Sequence, residues 1–436
     1  MLTTQGAFVN KTIRTFNFML IIASCMLLTG CPNKESNLST NPSTNPLALT
    51  VEYVNCTEAF LKLSLATTET QRAVTLNRGN STIATITMTG SDSVFVDDGL
   101  LPNKTYTYTL ASGKWNVSTQ ATTIDTTSHN WSWEVDTLGI AESYLYDVTI
   151  VNDTLAYAVG GVYLNDSTGQ FDQQPYNLET WNGHTWKLKK LFADGFPPII
   201  KSVFAVNQND IWFDPWFHWD GQNFQVLPSD PVLFAVGIGK MWGDPNGMYV
   251  VGTSGFIAHK SSNSNSWQQI QTNLTTAIHD VWGGNNSAVG NNVVLSTMCN
   301  KYYFGDARVL RLSQSSAVDS IQWGMQLYPP YSVWFSSTSQ VYVCGGGIYR
   351  FQSGTWVSMA NGLPSIFLNR VRGNGDNDLV VAGDFGVVAH YNGVSWQVYD
   401  QLKLPNGNYE SIAIRNNLII AAGWYNGQGY IAIGRR

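Results

Sequence analysis

The residues of this chain whose types and spacing could do chemistry are six histidines, a thin set of carboxylates and the arginines Arg370, Arg372 and Arg415. His218, His259 and His390 occupy similar points of a repeating sequence, just before or within a turn, where Thr180 and Arg350 stand in other copies. That pattern reads as a repeat position and not as a metal triad. His279 beside Asp280 offers an acid–base pair, but adjacent strand residues point to opposite faces. Asp376-Asn377-Asp378 follows Gly373-Asn374-Gly375 and offers oxygens to a cation. A calcium loop needs more ligands at fixed offsets, so the segment reads as a turn between strands. Asp97-Asp98 likewise reads as a turn. There is no Gly-x-Ser-x-Gly elbow and no phosphate loop, and neither a cofactor nor a metal is expected.

The elements that position these residues are repeats. An apolar marker opens each of seven copies: Val148, Val203, Met241, Val281, Val333, Val371 and Ile412, spaced about 44 residues apart. A small-residue strand follows each marker and stops at Gly160, Gly252, Gly290, Gly345, Gly383 and Gly423, with Asp214 in that place in the second copy. A period in the forties with strand-like content predicts one β-propeller blade per copy. The last copy has room for three strands only, and the segment 131–136 before the first copy supplies a fourth. The chain therefore reads as an all-β protein whose seven-bladed β-propeller spans 130–436 and is closed by the strand 131–136, so that no sheet edge stays open. Aromatic pairs five residues apart, Trp181/Trp186, Trp219/Phe224, Phe351/Trp356 and Tyr391/Trp396, flank the turns. These repeats resemble kelch-like and Asp-box propellers, although the defining aspartate of the Asp-box falls at Trp181 and Tyr391.

The residue before each marker faces the axis: Asp147, Ser202, Lys240, Asp280, Ser332, Arg370 and Ser411. Two acids, two bases and three hydroxyls form no repeated charge constellation. A sialidase-like site would want converging arginines. Arg370, Arg372 and Arg415 are near in sequence, but the Arg-Ile-Pro motif of that family is absent. The stronger signal is in the links from second to third strand, where Trp216, Tyr302, Tyr303, Trp424 and Tyr425 place aromatics on one rim. Exposed aromatics need a reason, and these are the candidate ligand-binding residues, as a stacking platform for sugar rings or a docking surface for protein.

Residues 1–30 carry Lys11 and Arg14, then a short apolar run from Phe16 to Leu28, a pattern of export and not of a spanning helix. The ending Leu28-Thr29-Gly30-Cys31 resembles a bacterial lipobox, which implies lipidation of Cys31 and removal of the leader. Residues 31–46 are polar and proline-rich, a flexible tether. Residues 47–125 alternate as short strands. Within them, Asp98-Gly99-Leu100-Leu101-Pro102 before Tyr106 resembles the fibronectin type III signature, which implies an immunoglobulin-like β-sandwich with Tyr106 as its corner tyrosine. Phe60 stands in for the missing early tryptophan. Loss of the leader removes two of the 24 basic residues and none of the 30 acids, a balance of −8. A mildly acidic chain with 12% charged and 13% aromatic residues argues against nucleic acid. Cys56, Cys299 and Cys344 remain, an odd set that is no disulfide framework.

These features lead to an expectation of a monomeric lipoprotein held by its N-terminal lipid at a Gram-negative cell envelope, at the outer membrane. Its expected role is non-catalytic binding or scaffolding of glycan or protein. The alternative is a glycan-active enzyme, a hydrolase or lyase, with its site in the propeller opening. Cys31→Ser is expected to move the protein from the membrane fraction to the soluble one. Unchanged partitioning into detergent would remove the lipid anchor.

Overall fold

The computed structural model describes residues 45–66, 71–89, 92–234, 237–286, 290–300, 306–312, 318–321, 323–324, 329–336, 340–352 and 354–436. Cys31, Tyr302 and Tyr303 lie outside them. The chain divides into two compact units, Met1–Asp125 and Thr126–Arg436. No described helix is long and apolar enough to cross a membrane.

The first unit has a three-stranded sheet of Leu47–Val54, Ala59–Leu65 and Asp92–Asp97. A four-stranded sheet holds Arg72–Arg78, Ser81–Met88, Thr105–Ser112 and Trp115–Thr122. Alternation along the strands sends Leu49, Leu61 and Leu63 from the one sheet, and Leu76, Tyr108 and Leu110 from the other, into a shared core. The Tyr106 hydroxyl accepts the backbone N–H of Leu101 at 2.9 Å. Phe60 is buried, and its ring lies 5.3 Å from that of Tyr53. Asp97 is no turn residue. It ends a strand, is buried, and accepts hydrogen bonds from the Tyr108 hydroxyl at 2.7 Å and from Arg78 Nη1 at 3.0 Å.

The described residues of the second unit form seven four-stranded antiparallel sheets. Six take four consecutive strands each. The last takes Gly407–Arg415, Leu418–Tyr425 and Gln428–Arg435, and its fourth strand is Ser132–Leu138, paired from Gly429↔Leu138 to Arg435↔Ser132. The opening strand of each sheet, here called inner, touches the inner strand of the next, and the seventh (Gly407–Arg415) touches the first (Tyr144–Asn152). Period-two alternation explains how one sheet serves two neighbours. Ala156 and Ala158 pack with Ile420 and Ile431 of the last sheet, whereas Tyr157 and Val159 pack with Ile211 and Phe213 of the second. All seven markers are buried.

The glycine at or near the end of five second strands has a steric cause, whereas Gly290 begins its strand, Gly290–Met298, and does not end it. A Cβ on Gly160 would overlap the carbonyl oxygen of Tyr144, and one on Gly345 that of Pro329, because the inner strand begins against this point. Asp214 keeps a side chain there by adopting φ +51°, which turns its carboxyl onto the Lys201 N–H at 3.0 Å. The outer turns are built by side chains too: Asn182, Asp220 and Asn392 each accept two following backbone N–H groups. The aromatic pairs face each other across these turns, as in Trp219/Phe224 at 4.8 Å and Tyr391/Trp396 at 5.1 Å.

Deleting residues 132–138 would strip the whole outer ladder from the last sheet. The expected outcome is a loss of cooperativity and a fall of roughly 10 °C or more in midpoint, at about 2–4 °C per kcal/mol for a unit of this size. Melting at the parent temperature in a calorimetric scan would show that the strand contributes nothing.

Candidate functional site

The residues before the markers, disparate as types, act as one buried belt. Asp147 Oδ2 accepts the N–H of Val203 at 2.9 Å, and Ser202 Oγ accepts that of Met241 at 3.0 Å. Asp280 Oδ2 accepts the N–H of Val333 at 3.0 Å, and Ser332 Oγ accepts that of Val371 at 3.2 Å. In each case a side chain of one inner strand holds the marker amide of the next. Ser411 Oγ donates to Asp147 Oδ1 at 2.7 Å and joins the last sheet to the first.

Lys240 and Arg370 cannot accept an N–H, and at their places the belt becomes ionic. Lys240 Nζ donates to Asp147 Oδ2. Arg372, two residues past Arg370, holds Asp280 in a two-point fork at 3.0 and 2.9 Å, and its guanidinium lies 4.8 Å from the Trp282 ring. Arg370 Nη1 lies 2.8 Å from Asp280 Oδ1. It is not aligned for a hydrogen bond, and neither it nor Arg370 Nε has a hydrogen-bond partner among the described residues.

These pairings decide the protonation states. Burial alone would raise the Asp280 carboxyl, but Arg372 and then Arg370 hold it well below the usual carboxylate range. Asp147 is lowered likewise, with Lys240 and then Arg370 overcoming its burial. Lys240 is brought down to about 8, first by burial, with Arg370 and Arg372 working against the help of Asp147. Away from the belt, burial raises the Asp214 carboxyl to about 7 and pushes that of Glu179 well up.

On one side of the belt the inner strands enclose a cavity of about 200 Å³ to which all seven sheets contribute. Its wall holds Lys240, Arg372 and Arg415 together with Phe204, Trp282 and Trp334, on an aliphatic lining. No carboxylate is among the described residues of the wall. Arg415 is exposed at its edge.

The aromatics singled out from the sequence stand elsewhere. Trp424 pairs with Asn408, and Trp216 follows a strand whose Phe213 pairs with Val203, so both lie by the beginnings of inner strands. The cavity is walled by residues from the belt onward, on the belt's other side. Trp424 is half-buried and stacked on Tyr144 at 5.8 Å, Tyr425 meets Tyr430 edge-on at 5.7 Å, and Trp216 meets Phe196 edge-on at 6.2 Å. His279 and Asp280 diverge: His279 Nε2 lies 2.9 Å from the Cys299 carbonyl oxygen and its ring stacks on Tyr331, while Asp280 joins the belt. Asp378 is engaged by His390 at 2.8 Å and by Arg436 at 3.0 and 2.6 Å, so its carboxylate serves side-chain pairing. His218 pairs in the same way with Asp210 at 2.8 Å. Cys56, Cys299 and Cys344 are buried free thiols. Sequence reasoning missed the cavity wall, several of whose residues sit one position past a marker. The residues one past the markers include Phe204, Trp282, Trp334 and Arg372.

No family model matches the chain, and no curated protein matches it. Solved structures do. YCF48 bound to D1 peptide superposes with a TM-score of 0.52 at 15% identity, covering 71% of this chain and 99% of that one. The WD40 β-propeller domain of Doa1 gives 0.51 at 15% identity, covering 70% and 97%. At this identity the likeness establishes the fold alone, which is all-β and β-propeller-like.

Asp280→Asn would leave Arg370 and Arg372 facing each other without their anion. The expected loss is about 3–5 kcal/mol at pH 7 in denaturant unfolding. Because Asp280 is lowered in the folded state, its contribution is present above the unfolded carboxylate pKa and fades as pH falls. The deficit of the variant should therefore narrow below about pH 4.

Proposed function

We propose that this protein is a non-catalytic binding module whose opening at the propeller axis receives a segment of another polypeptide. One observation carries the reading: all seven inner strands wall a cavity with cations and aromatic rings and with no carboxylate among the described wall residues. Glycoside hydrolysis would want two free carboxyl groups about 5–10 Å apart facing the opening. The carboxylates nearest to it, Asp147 and Asp280, are committed to backbone amides, Lys240 and the arginines. YCF48, of similar fold, has been solved with a peptide bound, and this supports polypeptide over glycan.

In the same reading the seven sheets are the blades of a seven-bladed propeller over 130–436, closed by the strand before the first repeat. The unit at 47–125 is a fibronectin type III-like sandwich, supported by the Tyr106 contact with Leu101. Cys31 carries a lipid that holds the protein at the cell envelope, with residues 31–46 as tether. The module then works as a membrane-held receptor or scaffold.

The test uses the full chain carrying Cys31→Ser, presented to an array of random octapeptides and to a glycan array. Retention on peptides, weakened by salt, is expected. Binding to glycans alone, or turnover of fluorogenic glycosides, would overturn the proposal.

A further inference from the structure

We infer that the axial cavity is a carboxylate-binding site, taking an acidic side chain or a chain terminus of an extended polypeptide against Lys240 and Arg415. The inference rests on the binding-module reading and specifies the chemistry of its guest. Charge favours an anionic guest. The belt sets Lys240, Arg370 and Arg372 against Asp147 and Asp280, three cations against two anions, each at least nine-tenths buried. A buried charge without a counter-charge is strongly unfavourable, so a site with one excess cation gains from an incoming anion. The wall supplies a further cation in Arg415 and no described carboxylate to oppose it.

Unused donors favour it too. The Lys240 ammonium has three N–H groups and gives one to Asp147. Arg370, whose Nε and Nη1 also donate no hydrogen bond among the described residues, is not a residue of the cavity wall and contributes through its charge. Buried donors such as those of Lys240 are rarely left unmet. Arg372, by contrast, is saturated by Asp280, Ser332 and two carbonyls, and serves to shape the site.

Size and lining narrow the choice. About 200 Å³ is below the roughly 300–1,000 Å³ of pockets for drug-sized ligands, and suits one acidic group with a few methylenes. Ile150, Met241, Ile412 and the Phe204 ring can cover the hydrocarbon, which favours an organic carboxylate over inorganic phosphate. Lys240 faces Asp147, Asp280, Arg370 and Arg372, and with its ammonium brought down to about 8 the site loses a cation just above neutrality. A bound carboxylate favours the protonated amine, so affinity should fall as pH rises through that value.

The experiment titrates the full chain carrying Cys31→Ser with three pools of N-acetylated random octapeptides. One pool has free C-termini, one is amidated, and one is amidated and lacks Asp and Glu. Sodium phosphate is a fourth probe. The neutral pool should bind at least tenfold more weakly than the strongest acidic pool, and the two acidic pools compared with each other separate terminus from side chain. Arg415→Ala should weaken acidic-pool binding about two- to fivefold while leaving the unliganded melting temperature unchanged. Affinity should drop about tenfold between pH 7 and 9. Lys240→Met should abolish the pH dependence where it folds; Arg415→Ala keeps the test decisive where it does not. Equal binding of neutral and acidic pools would remove the carboxylate and leave the module reading standing. Phosphate binding more tightly than any pool would also overturn the inference. Failure of every pool, together with an empty peptide array, would remove the module reading itself.

Discussion

The contact on which the second unit depends is a side-chain acceptor of one inner strand holding the marker amide of the next. Inner strands of successive sheets touch but form no ladder with one another, and a buried N–H without an acceptor is strongly unfavourable. Asp147, Ser202, Asp280 and Ser332 meet that need between successive sheets. Because each contact spans two sheets, a repeat array that would otherwise share only apolar faces gains polar contacts specific to orientation. The apolar clusters between sheets supply the nonpolar burial, and the belt adds directed hydrogen bonds between them.

Three of the seven belt positions depart from the rule: Ser411 donates to Asp147, and Lys240 and Arg370 are cations. Lys240 and Arg370 offer no acceptor and pair by charge with the carboxylates that also hold the amides. Asp147 and Asp280 thereby carry two duties each, and Arg372 adds a third cation to the same pair of anions. A belt made of serines alone would be neutral and closed. This one is electropositive beside a cavity lined by aromatic rings. The cations that join the sheets thus also border the cavity, so a ligand bound there would add to the stability of the fold.

Close approach is the second constraint. Second strands run into the starts of inner strands so tightly that Gly160 and Gly345 have no space for a Cβ. The second sheet meets that constraint with Asp214, at the expense of a left-handed backbone and a buried carboxyl raised to about 7. The aromatics Trp216 and Trp424 follow these crowded points and are drawn half-buried onto Phe196 and Tyr144.

The all-strand, propeller-like character of the chain was legible in its sequence. A period in the forties, apolar markers, small-residue strands and aromatic pairs across Asn and Asp turns are local features, set by residue type and spacing. The local hydrogen bond of Tyr106 to Leu101 belongs to the same class. The belt and the cavity were not legible as a site. Ser411 reaches Asp147 across 264 positions and Arg372 reaches Asp280 across 92. A sequence read one repeat at a time shows unlike residues where the fold makes a single network. Nor could alternation identify the cavity wall, because inner strands are buried on both sides, and Trp334 reads like any core tryptophan. Residue types decided which strands form; only the cyclic packing of those strands decided which cations would line the cavity.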